Sequence, residues 1–150
     1  MVFVPYRQET NYTCGATSMR MALEKLGIER SEKQLARMLH TNKIIGTWHK
    51  DFSRVSEKYK LDYVVERKTT VRDLKKYQKD GYTIIVCYFC PYRKVDHYSV
   101  LKKIDSTFIY FYDPWWGPKH KYRLTYFNRI WGSRQEHDKE KRWFFAVKKP

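Results

Sequence analysis

A chain of 150 residues with 42% apolar and 17% aromatic side chains is long enough for one domain with a real hydrophobic core, short for two, and too apolar to stay disordered. Its net charge of +15 permits attraction to an acidic or polyanionic partner, yet the 31 Lys and Arg residues are spread over the whole length and accompany no zinc-finger or RNA-binding motif. Three cysteines are an odd number and argue against a disulfide framework; no run of about 18 apolar residues and no apolar leader is found, so the expectation is a soluble, cytoplasmic chain with no membrane span.

No Pro, Gly or Ser tract marks a linker, and residues 1–150 read as a single domain. From Cys14 onward apolar residues fall at Ala16, Met19, Ala22, Leu23 and Leu26, the stripe of a helix packed on a core, and Gly27 supplies its stop. Ser31-Glu32-Lys33-Gln34 has the form of a capping box and predicts a second short helix through Leu35, Met38 and Leu39. A third helix starts near Thr47 with Trp48, Phe52, Val55 and Tyr59 on one face. Residues 61–66 change to a strand period, and residues 70–79 return to a helical one ended by Asp80-Gly81.

Strands then dominate. Residues 82–89, 97–104 and 108–112 alternate or run apolar, the last two joined by a turn at Asp105-Ser106 as a hairpin. A short helix over 125–131 precedes a closing strand over 143–148. Helices first and an antiparallel sheet second make the fold class α+β, with the Cys14 helix lying against the sheet. Cys87 and Cys90 form a lone CxxC at the end of the strand of residues 82–89. Three residues apart on a strand their side chains face opposite sides, so they read as small buried hydrophobes; no metal site and no cofactor is expected.

The chemistry starts at Cys14. A thiol at a helix N-terminus meets a partial positive charge and unsatisfied N–H groups, which favour thiolate and can hold an oxyanion. Nucleophilic cysteine catalysis needs a base, a group that orients the base, and oxyanion donors. His97 at a strand opening and Asp113 at the end of the neighbouring strand can be adjacent in space, since paired strands lie about 5 Å apart. Gln8, upstream of Cys14, can supply a side-chain oxyanion donor beside the Cys14 backbone N–H. Gly15 keeps the helix entrance free of a β-carbon, and the adjacent Trp115 and Trp116 are candidates to wall a substrate cleft. His40, His49, His120 and His137 have no motif around them; His49 is expected on the surface and His120 in a loop beside the site.

Gln8, Thr13-Cys14-Gly15-Ala16, Asp96-His97-Tyr98-Ser99-Val100 and Tyr112-Asp113-Pro114 together resemble the C39-like peptidases, a branch of the papain-like cysteine proteases. Gly46-Thr47 before a helix, the helix and strand of residues 70–86, and Tyr126-Phe127 before a closing strand follow the same order through nearly the whole chain. The resemblance implies a papain-like α+β fold and a triad of Cys14, His97 and Asp113 with Gln8 as oxyanion side chain. It implies a peptide or protein substrate, cleaved at a peptide or isopeptide bond through an acyl-enzyme on Cys14. Deamidation, acyl transfer and non-catalytic binding of a peptide or polyanion on the same fold are the alternatives.

Overall fold

The computed structural model describes residues 3–134 and 139–150, so His137 lies outside the described residues. Helix α1 (Cys14–Lys25) carries eight buried residues, and Leu26 and Gly27 close it by donating their N–H groups to Leu23 and Glu24 carbonyls. Helix α2 (Glu32–Met38) has the predicted capping box: the Ser31 side chain accepts from the Gln34 N–H at 3.0 Å, and the Ser31 N–H donates to the Gln34 side chain at 2.9 Å. Helix α3 (His49–Lys58) buries Phe52 and Val55. Strand β1 (Asp62–Glu66) and helix α4 (Val71–Lys79) follow, the helix buried at Leu74.

Strands β2 (Thr83–Cys90), β3 (Val95–Ile104), β4 (Phe108–Asp113) and β5 (Gly117–Arg123) form consecutive antiparallel pairs; after helix α5 (Leu124–Ile130), β6 (Phe144–Lys148) inserts between β1 and β2. The sheet order is therefore β1-β6-β2-β3-β4-β5. Both faces are covered. On one, Ile85, Cys87, Val100, Phe145 and Val147 pack with Met19, Leu23 and Phe52 of α1 and α3. On the other, Ile84, Val86, Phe111 and Ala146 pack with Leu74 of α4 and Phe127 of α5. Each such buried aliphatic or aromatic side chain contributes about 1.5–3 kcal/mol. The central strand β2 is sandwiched, which is why it reads as a continuous apolar run. Cys87 and Cys90 fall in the two different cores, as strand alternation requires.

Strand β5 departs from the sequence reading, which treats Gly117 to His120 as loop. Its burial alternates: His120 and Tyr122 are half-buried while Lys119, Lys121 and Arg123 point to solvent. This is an edge strand, and Pro118 and the lysines that disguised it are how edge strands avoid pairing with other chains. A bulge at Lys102 shifts the β3/β4 register between Leu101 and Lys103. Beyond it Val100 opposes Tyr112, and one step further Ser99 lies against Asp113, while on the other side Tyr88 opposes His97.

Candidate active site

The register just described gathers three side chains around one carboxylate. Asp113 ends β4 and is buried. Its Oδ1 accepts from His97 Nε2 at 2.8 Å and from the backbone N–H groups of Trp115 at 2.8 Å and Trp116 at 2.9 Å. Its Oδ2 accepts from the Tyr88 hydroxyl at 2.6 Å and the Ser99 hydroxyl at 2.9 Å. Burial alone pushes a carboxyl up, but the His97 charge and these hydrogen bonds hold Asp113 well below the usual carboxylate range. Burial and the Asp113 charge push the Tyr88 hydroxyl up, so it stays protonated and donates.

His97 is fully buried on β3. With Nε2 committed to Asp113, Nδ1 is the ring atom that remains for the Cys14 sulfur. Burial lowers the His97 pKa, yet the charges of Asp113 and Cys14 and the hydrogen bond to Asp113 reverse this and raise it to about 10. Burial likewise opposes ionisation of Cys14, and the His97 charge and the Tyr98 backbone N–H override it, so the thiol pKa is lowered. Imidazolium beside thiolate is the favoured resting state of such a pair.

Cys14 is the first residue of α1 and is half-buried. The first helical bond is made by the Thr17 N–H to the Thr13 carbonyl, so the amides of Cys14, Gly15 and Ala16 precede the ladder and carry the positive end of the helix dipole. Thr13 makes no side-chain cap. Its hydroxyl instead donates at 2.9 Å to Glu32, a buried carboxylate on α2 that also accepts from the Glu9 N–H at 2.8 Å and from the Thr17 hydroxyl. Glu32 thus ties the approach to Cys14 onto α2.

Gln8 sits on that approach. Its backbone N–H donates to the Pro114 carbonyl at 2.8 Å, fastening it beside the Asp113 turn, while its Nε2 donates to the Thr10 carbonyl at 2.6 Å. One amide N–H of Gln8 is therefore used within its own loop, and the second is the one left for a ligand.

A cleft of about 350 Å³ opens over Cys14, lined among others by Thr47, His49, Arg93, Asp96 and Tyr98. Three expectations need revision here. Gly15 is buried, and a β-carbon on it would lie 2.5 Å from Thr47 Oγ1 and 3.2 Å from the Tyr98 ring; the space its missing side chain leaves is taken by Thr47. His49, expected at the surface, is buried: its Nδ1 is 2.6 Å from the Tyr98 hydroxyl, and its ring stacks on Trp143 at 4.0 Å. The Tyr98 hydroxyl donates to the Thr47 carbonyl at 2.7 Å. His120, expected in a loop, sits on β5 stacked on Trp116 at 5.7 Å.

Trp115 and Trp116 do not form the cleft wall themselves. Asp113 holds their N–H groups, and Arg7 donates to their carbonyls at 2.8 and 3.2 Å, which locks the turn, and neither Trp is among the residues that line the cleft. Trp115 supports the wall at one remove, because the Arg93 guanidinium that lines the cleft lies 3.8 Å over its ring. Trp116 packs against Tyr92 near the surface.

A sequence model of the Peptidase_C39 like family matches residues 2–138. The chain belongs to the C39-like peptidase family. Solved structures agree with this at the level of fold: the peptidase domain of Streptococcus ComA, a bi-functional ABC transporter involved in a quorum-sensing pathway, superposes with a TM-score of 0.77 at 18% identity over 97% of each chain. A putative C39-like peptidase from Bacillus anthracis gives 0.75 at 18% identity, over 98% of this chain and 95% of the other. A double glycine motif protease from an AMS/PCAT transporter, solved in complex with its leader peptide, gives 0.72 at 19% identity over 96% and 89%. No curated protein matches by sequence. The α+β architecture of this C39-like chain is accordingly papain-like. Among its described residues no helix is long and apolar enough to cross a membrane, and no cluster of His, Cys, Asp and Glu is arranged to hold a metal ion.

Sequence reasoning missed Tyr88, Ser99 and Glu32. Ser99 stands two residues after His97 on the same strand face, and Tyr88 is the polar tip in an otherwise apolar β2; both positions follow from alternation once the register is known. Glu32 gave no separate signal, because an acidic residue in the first turn of a helix is already accounted for by the helix dipole.

Proposed function

We propose that this C39-like chain is a cysteine peptidase that cleaves a peptide or isopeptide bond through an acyl-enzyme on Cys14. The observation that carries the reading is His97 held by Asp113 at 2.8 Å, with its pKa raised to about 10 while that of Cys14 is lowered. The Cys14 thiolate attacks the carbonyl carbon, and the oxyanion that forms accepts hydrogen bonds from the Cys14 backbone N–H and the second amide N–H of Gln8. Protonated His97 gives its proton to the leaving amine as the C–N bond breaks, leaving a thioester on Cys14 and a neutral imidazole. Neutral His97 then takes a proton from water, whose oxygen attacks the thioester. Collapse of the second tetrahedral intermediate expels the thiolate, releases the acid and restores the imidazolium. Asp113 keeps Nε2 protonated throughout, so that Nδ1 is the atom through which protons move. The neighbour solved with a leader peptide supports a peptide as the substrate.

The test is selective alkylation with mass spectrometry, followed by a peptide-library cleavage profile. Cys14 reacts with iodoacetamide at pH 6.5, where an ordinary thiol of pKa about 8.5 is only about 1% thiolate, while buried Cys87 and Cys90 stay unmodified. Cys14→Ala and His97→Ala abolish cleavage with the fold retained. Equal, slow alkylation of all three cysteines sinks the reading.

A further inference from the structure

A second concavity is larger than the cleft over Cys14. It is a groove of about 1170 Å³ between the end of β1, helix α5 and the segment leading into β6. Arg67 and Lys68 line it from beyond β1, Arg129 from α5, and Arg134, Lys141 and Arg142 from the β6 approach. Among the described residues one carboxylate, Glu140, lines the groove with them, and Arg67 pairs with it at 3.2 Å. The remaining cations are exposed and converge on one concavity, where their fields add rather than disperse.

The groove adjoins the cleft. Ser133 lines both, and the next residue is fixed in place by its N–H, which donates to both oxygens of Asp96 at 2.9 Å. Asp96 precedes His97 on β3, so the junction is anchored at the candidate triad itself. The two concavities also share one end of the sheet: β6 starts there with Phe144 paired to Val86 and Glu66, where β1 and β2 run toward their C-terminal ends.

We propose that the basic groove docks an acidic stretch of the peptide substrate while adjoining residues of the same peptide lie over Cys14. The proposal rests on the peptidase reading. A peptide fits better than a nucleic acid, because single-stranded nucleic acid needs exposed aromatic faces to stack its bases, and the groove's one aromatic among the described residues, Trp131, is buried. Two adjoining concavities, one of them with a thiol in its lining, also suit a peptide long enough to occupy both.

The probe is a fluorescein-labelled peptide with hexaglutamate followed by a neutral Gly-Ser stretch, compared with its hexaglutamine twin. Binding is measured by anisotropy on Cys14→Ala protein at about 50 mM and about 300 mM salt. The expected result is binding of the acidic peptide alone, weakened by salt. The pair Arg129→Gln and Lys141→Gln weakens it about tenfold, and the pair Lys33→Gln and Lys58→Gln on α2 and α3, equal in charge lost, by less than about twofold. In protein with Cys14 intact, saturating acidic peptide slows iodoacetamide alkylation of Cys14 severalfold. Equal weakening by both pairs of substitutions overturns the proposal in favour of diffuse charge attraction. Groove binding that leaves Cys14 unprotected overturns it too, and so does a single-stranded oligonucleotide that binds more tightly through Arg129 and Lys141. Slow alkylation of Cys14 in the free protein sinks the peptidase reading separately, whatever the groove binds.

Discussion

Asp113→Asn separates what the carboxylate does by its shape from what it does by its charge. The side chain is isosteric, and the surrounding donors divide cleanly between its two oxygens. Oδ1 faces three N–H groups that cannot turn around, from His97, Trp115 and Trp116, so the amide oxygen takes that place. Oδ2 faces the Tyr88 and Ser99 hydroxyls, which can rotate to accept from an amide NH₂. The geometry is therefore preserved and the charge is lost. Two charges about 4 Å apart at an effective dielectric of about 20 interact by about 4 kcal/mol, or about three pKa units. Asp113 is the largest influence raising the His97 pKa to about 10, so in the variant it falls to about 7. An NMR titration of the ¹⁵N-labelled His97 ring reads this directly. Cleavage by the variant then stays near the native rate at pH 6, where both proteins hold imidazolium, and drops more than about tenfold by pH 9. A His97 shift below about half a unit, or a loss of rate that is the same at pH 6 and pH 9, refutes the reasoning and leaves Asp113 a purely steric role.

The coupled pair sets a pH dependence of stability. The raised His97 pKa gives stability that is whole below about 6.5 and drains as pH rises to about 10, while the lowered Cys14 pKa gives stability that grows as pH rises from that lowered pKa to about 8.5; the gain offsets the loss where the two windows overlap, and above about 8.5 stability only falls. Cys14→Ser removes the offset, so its urea midpoint declines from about pH 6.5 upward; an unchanged profile contradicts the ion pair. Glu32→Ala takes the acceptor from the Glu9 N–H and breaks the Thr13 and Thr17 bonds to the carboxylate, though Thr17 keeps the Thr13 carbonyl, and costs about 1–3 kcal/mol by urea unfolding, with Glu32→Gln recovering part of it. Gly15→Ala drives a β-carbon to 2.5 Å from Thr47 Oγ1, an overpacking of about 1–3 kcal/mol that lowers Tm by about 5 °C and is relieved by Thr47→Ser less than by Thr47→Gly. Iodoacetate outpaces its usual ratio to neutral iodoacetamide at low salt because of the +15 charge, and that advantage shrinks at about 0.5 M salt while the pH profile of the neutral reagent stays fixed.

What could be read ahead of the structure divides along a physical line. The helix after Cys14, the capping box at Ser31 and the apolar run of β2 are local signals: each depends on residues a turn or a strand apart, and each element is present. His97 and Asp113 were legible because a hairpin turn at Asp105-Ser106 fixes which strands neighbour each other, and the two meet at 2.8 Å. His49 was misread because helical period alone put it beside the inward Trp48 position; in fact Trp48 is half-exposed and caps α3, and His49 turns in against Trp143, a residue far along the chain. The Trp115-Trp116 pair falls outside the cleft lining for a related reason, since the turn that carries it is fixed by Arg7, far off in the sequence, together with the Asp113 carboxylate. Long-range partners of this kind leave no period behind.

The charge of the chain and the charge of the site answer to different rules. In the ionised state Cys14 and Asp113 place two negative charges around one imidazolium, and nearly all the groups that hold them are neutral: the Trp115, Trp116 and Tyr98 N–H groups, two hydroxyls and the opening of α1. Fixed dipoles in a desolvated place stabilise charge without bringing counterions, and salt screens them little. The Lys and Arg residues gather instead at the rim, with Lys43 and Arg93 on the cleft and the larger set on the groove that joins it at Ser133. Charge at that distance acts on approach and docking, where it is strong at low salt and weak at high. Chemistry at Cys14 is thereby insulated from the field that recruits a substrate, so the basic surface can vary with the peptide it captures while the buried dipoles keep the same thiolate.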